Sequence, residues 1–262
     1  MKTVFSFFIS ILLLSPLCLG QKQTNIWYFG LNAGLDFNFN PPKTLLNGNL
    51  YHFEGNGCLA DSTGKLGFYS DGKSIWNKNN NLVKNGSGLY GGVSSTQASL
   101  IVSHPKNNGK TIILTSDWGG TDVLAYSIIE NDSITLKNKI LLTNSSEKLN
   151  AVNHQNNNDI WIATHSNTND TFFFFIIKKK EIIDCPIIQK VSISNTDQYG
   201  SQGQIKFSNN GQYLVSNFLF NLTFLSKFNS ENGRLSDYFN LSNFNSYASE
   251  FSVNNKYVYI GK

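Results

Sequence analysis

A pattern of strand, polar turn, strand returns along this chain at intervals of roughly fifty residues. Four segments carry it: SLIVSHPKNNGKTIILTS (99–116), LNAVNHQNNNDIWIATHS (149–166), GQIKFSNNGQYLVSNF (203–218) and ASEFSVNNKYVYIG (248–261). A fifth, GCLADSTGKLGFYS (57–70), fits more loosely. Aligning Asp61, Ser103, Asn153, Ser208 and Ser252 at the turns gives steps of 42, 50, 55 and 44 residues. A beat in the forties to fifties with about four strands per repeat is the signature of a β-propeller. One four-stranded sheet cannot bury both of its faces alone, and radial stacking buries each against its neighbours. A β-sandwich turns every 8–12 residues or so without this longer beat.

The segments between the hairpins supply further strands. After the second hairpin strand come VLAYSII (123–129) and ITLKNKILL (134–142), then TFFFFIIK (171–178) and IIDCPIIQKV (182–191), then LTFLSKFN (222–229) and RLSDYFNL (234–241). Asp71-Gly72, Asn85-Gly86, Asn108-Gly109, Asn210-Gly211 and Asn232-Gly233 mark tight turns, since Asn, Asp and Gly tolerate positive φ. No window of twelve or more residues keeps a helical period with caps. The expected fold is therefore all-β, with four-stranded antiparallel blades. Charged residues are only 15% of the 262, against roughly 25% in an average globular protein, and Asn alone is about 14%. That composition excludes a coiled coil, and 13% aromatic residues exclude global disorder. A net charge of +4, dispersed, does not suit a nucleic-acid binder.

The first twenty residues read as an export signal. Lys2 gives a basic start, Val4 to Leu14 an apolar run, and Cys18 and Gly20 the small residues before a cut at Gln21. That run is shorter than the ~20 residues of a spanning helix. The expected organisation is residues 1–20 as signal peptide and 21–262 as the propeller, with no membrane span after cleavage. Cys58 and Cys185 fall on inner and outer strands two repeats apart and are expected to be unpaired. At 40–50 residues per blade, the chain holds about five blades' worth of sequence. The final repeat stops after its second strand, so an incomplete ring with open, association-prone edges is expected.

TNIWYFGLNAGLDFN (24–38), EGNGCLADSTGKLGFYSDGKSIWN (54–77), LYGGVSSTQASLIV (89–102) and EKLNAVNHQNNNDIWIATH (147–165) resemble the N-terminal propeller region of Bacteroidetes surface proteins. Those proteins end in a type IX secretion sorting domain or a gliding-motility-associated C-terminal domain. Phe68 to Gly72 and Ile75 to Asn77 carry the FYSDG and IWN elements. FSNNGQ (207–212) and FSVNNK (251–256) stand where that group has an FSPDGK-type turn. Later blades and a sorting domain are missing from this chain. The resemblance implies a secreted or cell-surface binding or display module, in adhesion, surface assembly or gliding.

Candidate chemistry is sparse. His154 and His165 lie in one hairpin but far apart along it, so they cannot share a metal ion. His104 and His154 occupy the same turn position one repeat apart, which argues for bracing the turn, with Asp159 and Trp161 close in sequence. Trp118, in the Gly-rich SDWGGTD, is a candidate for stacking on a sugar or peptide. Trp76 and Trp161 read as core, Asp61 and Asp71 as turn formers. No nucleophile elbow, P-loop or dinucleotide fingerprint occurs. No cluster of carboxylates and His is legible, so a non-catalytic module is expected, without cofactor or metal. Its partner would be a glycan or a surface protein, with Trp118, His154 and His165 as binding candidates. The alternative is a propeller enzyme acting on glycans or lactones. A periplasmic assembly factor is a third option.

Overall fold

The computed structural model describes residues 22–105, 109–117, 120–179, 182–192, 202–219, 222–242 and 245–261. The export segment and Trp118 lie outside them. Every regular element among the described residues is a strand. β1 (Ile26–Phe29), β2 (Ala33–Asp36) and β3 (Lys43–Leu45) form a three-stranded antiparallel sheet. β4 (Gly57–Ala60), β5 (Leu66–Ser70), β6 (Ser74–Asn77) and β7 (Leu82–Ser87) run as an up-and-down meander. So do β8 (Ser99–Ser103), β9 (Lys110–Ser116), β10 (Val123–Glu130) and β11 (Ser133–Thr143). One parallel pairing, Lys84 with Ser133, joins the outer strands β7 and β11 and merges these meanders into an eight-stranded sheet.

Two further four-stranded meanders follow. They are β12 (Asn150–Asn153), β13 (Ile160–His165), β14 (Thr171–Ile177) and β15 (Ile182–Lys190), then β16 (Ile205–Phe207), β17 (Tyr213–Phe218), β18 (Leu222–Asn229) and β19 (Arg234–Ser242). β20 (Ala248–Phe251) and β21 (Val258–Gly261) form a final two-stranded sheet. It has no strand pairing with β1–β3 among the described residues. The expected strands are found within a residue or two of their ends, and β3 and β7 are additional. Asn85-Gly86, expected as a tight turn, instead lies inside β7, where Asn85 takes its positive φ of 61° within the strand.

Period-2 geometry explains the apolar runs. In a strand, alternate side chains point to opposite faces. Phe172 and Phe174 of β14 enter a core shared with β16–β19, beside Phe218, Phe224 and Phe228. Phe173 and Phe175 point the other way, to a core shared with β8–β11. The Phe run is therefore a strand buried on both faces, and each Phe contributes about 1.5–3 kcal/mol. Ile112, Ile113 and Leu114 of β9 repeat the pattern: Ile112 and Leu114 face β12–β15, and Ile113 faces β4–β7. A fourth core joins Ile26 and Tyr28 of β1 to Tyr69 of β5. Each sheet is thus packed on the next in chain order.

The turns obey one rule. At Asp61, His104, His154, Ser208 and Ser252 the backbone N–H donates across the turn to Lys65, Lys110, Asp159, Tyr213 and Tyr257, at 2.8–3.0 Å. The equivalent residues in two repeats are therefore His104 and His154, one place beyond the Ser103 and Asn153 of the sequence alignment. Asp61 Oδ1 accepts from Thr63 N at 2.8 Å and Lys65 N at 3.1 Å, and Asp71 Oδ1 from Lys73 N and Ser74 N at 2.8 and 2.7 Å. Both are turn formers, as expected.

Candidate functional site

The strand β12–β13 turn, the β16–β17 turn and the β18–β19 turn come together around a cavity of about 1300 Å³. Eight of its 23 lining residues are Asn or Gln. Its charged side chains are already engaged: Lys206 pairs with Glu250 at 3.0 Å, and Lys227 with Asp237 at 2.8 Å. A smaller cavity of about 340 Å³ lies among β1, β4 and β8 and shares Thr24, Asn150 and Lys206 with the larger one. The inner strands β1, β4, β8, β12, β16 and β20 all contribute a residue to this common void.

His154 lines the large cavity. Its ring stacks on Trp161 at 5.7 Å, and its Nδ1 accepts from Asn156 N at 3.0 Å. Asn156 Nδ2 in turn donates to Asp159 Oδ2 at 2.8 Å. Trp161 is buried, and its Nε1 donates to Ser230 O of the next sheet at 2.8 Å. The His–Asp–Trp brace expected from sequence is present as this chain of contacts. His165 ends β13 at the opposite end of the hairpin, buried edge-on between Phe172 at 4.7 Å and Phe218 at 5.0 Å. Burial, and then the nearby Lys148 charge, draw its pKa down to about 3. It is a neutral core side chain and lines neither cavity. Trp118 lies outside the described residues. Trp76 is half-buried and packs against the core of Ile26, Tyr28 and Tyr69, stacked on Tyr69 at 5.4 Å.

A polar cluster that is not legible in the sequence converges at one end of the first strands of the sheets. Glu54, Thr96, Glu147 and Gln202 each stand three residues before an inner strand (β4, β8, β12, β16), and Tyr247 directly precedes β20. Tyr247 Oη donates to Glu54 Oε2 at 2.6 Å and lies 2.7 Å from Thr96 Oγ1. Thr96 Oγ1 lies 2.6 Å from Glu147 Oε1, and Thr96 N donates to Glu147 Oε2 at 3.0 Å. Gly55 sits against this knot: a Cβ there would lie 2.0 Å from Thr96 O, so only glycine fits. Burial holds the Glu147 carboxyl above the ordinary carboxylate range, against the pull of Thr96 and Lys148.

Lys148 points away from Glu147 into the protein. Its Nζ donates to the carbonyls of Gln202 at 2.6 Å, Gly203 at 3.0 Å and Asn217, and lies 4.7 Å from the Phe218 ring centroid. Three acceptors use all three ammonium protons. Burial nonetheless draws its pKa down to about 7, with Glu147 opposing. Sequence reasoning passed over these residues because each is ordinary in isolation. The recoverable signal was their shared phase in the repeat.

Among the described residues no group of three or more His, Cys, Asp or Glu is placed to hold a metal ion. Cys58 and Cys185 are free, as expected. No helix among the described residues is long and apolar enough to cross a membrane.

No protein family and no curated protein matches the chain. Among solved structures it is similar to a Bacteroides fragilis protein with the provisional name 6-phosphogluconolactonase. The two are 14% identical with a TM-score of 0.48, over 90% of this chain and 72% of that one. It is also similar to the Kuenenia stuttgartiensis hydrazine synthase, at 11% identity and a TM-score of 0.40, over 78% of this chain and 64% of that one. At these values the likeness extends to neither site nor activity.

Proposed function

We propose that this chain is an exported, non-catalytic β-propeller, incomplete as a ring, that binds a neutral glycan or a polar protein surface. The observation that carries the binding reading is the large cavity, rich in Asn and Gln, whose lysines and glutamate are already ion-paired. Amide side chains offer both donors and acceptors, the complement of sugar hydroxyls and peptide groups. Paired charges leave no unengaged carboxylate there for acid–base work. The propeller reading is supported by the succession of meanders, each packed on the next, around a void that every inner strand touches.

The export signal and the resemblance to Bacteroidetes surface proteins support a secreted or cell-surface location. The intact mass of protein exported by its native host should lack Met1 to Gly20, and retention of that segment would overturn this location. For binding, glycan and peptide arrays probed with the chain from Gln21 should give hits. Asn153→Ala and Gln155→Ala, both exposed in the cavity wall, should weaken them about tenfold, the loss of one or two hydrogen bonds. A second reading, an enzyme acting on glycans or lactones, draws on the linked carboxylates Glu54 and Glu147. Turnover of a lactone or glycoside, abolished by Glu54→Gln, would favour it over the binding module.

A further inference from the structure

The knot at the inner-strand ends has more contacts than hydroxyl protons. Three short oxygen–oxygen contacts run in line: Glu54 Oε2 to Tyr247 Oη, Tyr247 Oη to Thr96 Oγ1, and Thr96 Oγ1 to Glu147 Oε1, at 2.6, 2.7 and 2.6 Å. Each needs one proton between its oxygens. The two hydroxyls supply two. With both carboxyls ionised, one contact would set lone pair against lone pair. A third proton must come from a carboxyl group. We propose that Glu54 and Glu147 hold one proton between them through Thr96 and Tyr247, and that this shared proton is a pH-sensitive latch joining the first sheets to the last.

The valences close when the proton is counted. With Glu147 protonated, Glu147 donates to Thr96, Thr96 to Tyr247 and Tyr247 to Glu54. Thr96 Oγ1 then donates once and accepts twice, its second donor being Gly203 N at 3.3 Å. Reversing every bond puts the proton on Glu54 and leaves the same three bonds intact. Burial disfavours charge on Glu147, while Glu54 is exposed, so the proton resides on the Glu147 side.

Lys148, beside Glu147 in sequence, donates to three carbonyls and makes no hydrogen bond to the Thr96–Tyr247 line. His165 faces Lys148. His52 accepts from Glu54 N through Nδ1 at 3.1 Å. Ser94 Oγ reaches Glu54 Oε1 at 3.3 Å. None of these donates into the Thr96–Tyr247 line.

The sign follows from linkage. A carboxyl whose folded pKa is raised leaves the fold unpenalised below its unfolded value and weakens it as pH rises through the folded value. Between those limits one proton is released on unfolding, so the unfolding equilibrium constant rises up to tenfold per pH unit. His165 imposes the opposite slope below about 6.5, and Lys148, drawn down to about 7, imposes it above that value, so the latch is read as a difference between proteins that retain both.

Glu147→Gln is the decisive variant. Its amide donates to Thr96 Oγ1 and accepts from Thr96 N, the bonding of protonated Glu147. It should fold, and it should lose the alkaline-side destabilisation that the wild type shows. Glu54→Gln, the mirror change on an exposed residue, should do the same, and it serves if Glu147→Gln does not fold. The infrared spectrum at neutral pH should contain a protonated-carboxyl C=O band that Glu147→Gln removes. Absence of that band in the wild type would overturn the proposal. So would a pH dependence of Tm unchanged in both variants.

Discussion

Cys58 illustrates how far one side chain's chemistry is set by its neighbours. Its Sγ accepts from Tyr28 N at 3.1 Å, on an inner strand facing the first sheet. Burial pushes the thiol pKa up to about 12, and a thiol that high presents almost no thiolate. Cys185 is exposed. Maleimide or a disulfide reagent at pH 7.5 should label Cys185 quickly and spare Cys58 until denaturant is added, as peptide mapping will read. His165 supplies a second test. Its folded pKa of about 3 lies below the ordinary 6.5, so its stabilising neutrality is present above pH 6.5 and lost as pH falls towards 3. Because the Glu147 carboxyl imposes the opposite slope, the test is a difference: between pH 7 and 5 the Tm of His165→Phe, packing against Phe172 and Phe218, should fall less, or rise more, than that of the wild type. Lys148→Met tests a third residue. It removes the ammonium donor from the buried carbonyls of Gly203 and Asn217, while Gln202 O keeps its bond from Leu219 N at 3.3 Å, and should cost on the order of 3 kcal/mol in denaturant titration. Neither the burial of Cys58 nor the carbonyl cage of Lys148 is readable from sequence, because both are built by residues dozens of positions away.

At the scale of elements, hairpins were the most legible part of the chain. Their signals are local: Asn and Gly where φ is positive, and alternating or continuous apolar runs between. Asn157 and Asn255 take φ of 53° and 57° in equivalent turns. What sequence left open was which sheet each hairpin touches. Gly233 shows the dependence. It sits in the β18–β19 turn at φ +70°, and a Cβ there would lie 2.7 Å from the Trp161 ring of the preceding sheet. Trp161 is also stacked on His154 at 5.7 Å. Gly233→Ala should therefore combine backbone strain with a clash, costing roughly 1–3 kcal/mol, while Gly109→Ala, with open space around it, should be close to neutral. Chemical denaturation of the two variants compares them directly.

The whole molecule is strongest in the middle and weakest at its ends. β9, β13, β14 and β17 are covered on both faces by adjoining sheets. β1–β3 and β20–β21 are short and carry exposed aromatics: Trp27, Phe29 and Phe37 on the first, Tyr257 and Tyr259 on the last. Backbone amides there have fewer buried contacts to protect them. Hydrogen exchange should proceed first in β1–β3 and β20–β21 and last in β9, β13 and β14. Equal protection throughout would mean that the end sheets are covered by something else, such as a second copy of the chain. The contact between Glu54 and Tyr247 links the residues before β4 to those before β20, whose sheets share no strand pairing among the described residues.

From the sequence by itself, most strands and hairpin turns were legible locally, because they depend on side-chain period and on φ preferences within a few residues. β3 and β7 were not, and Asn85-Gly86 reads as a turn although pairing with β6 holds it in a strand. The sequence also pointed to His154 and Trp161 as a brace. The polar cluster at the strand ends, by contrast, is set by packing between distant segments. Glu54, Thr96, Glu147, Gln202 and Tyr247 are separated by about forty to fifty-five residues at each step and share no motif. They meet because Glu54, Thr96, Glu147 and Gln202 each stand three residues before a first strand of a sheet and Tyr247 one residue before another, and packing brings those strand ends together. Burial there, rather than residue type, changes an ordinary glutamate into a proton holder and an ordinary lysine into a structural tie.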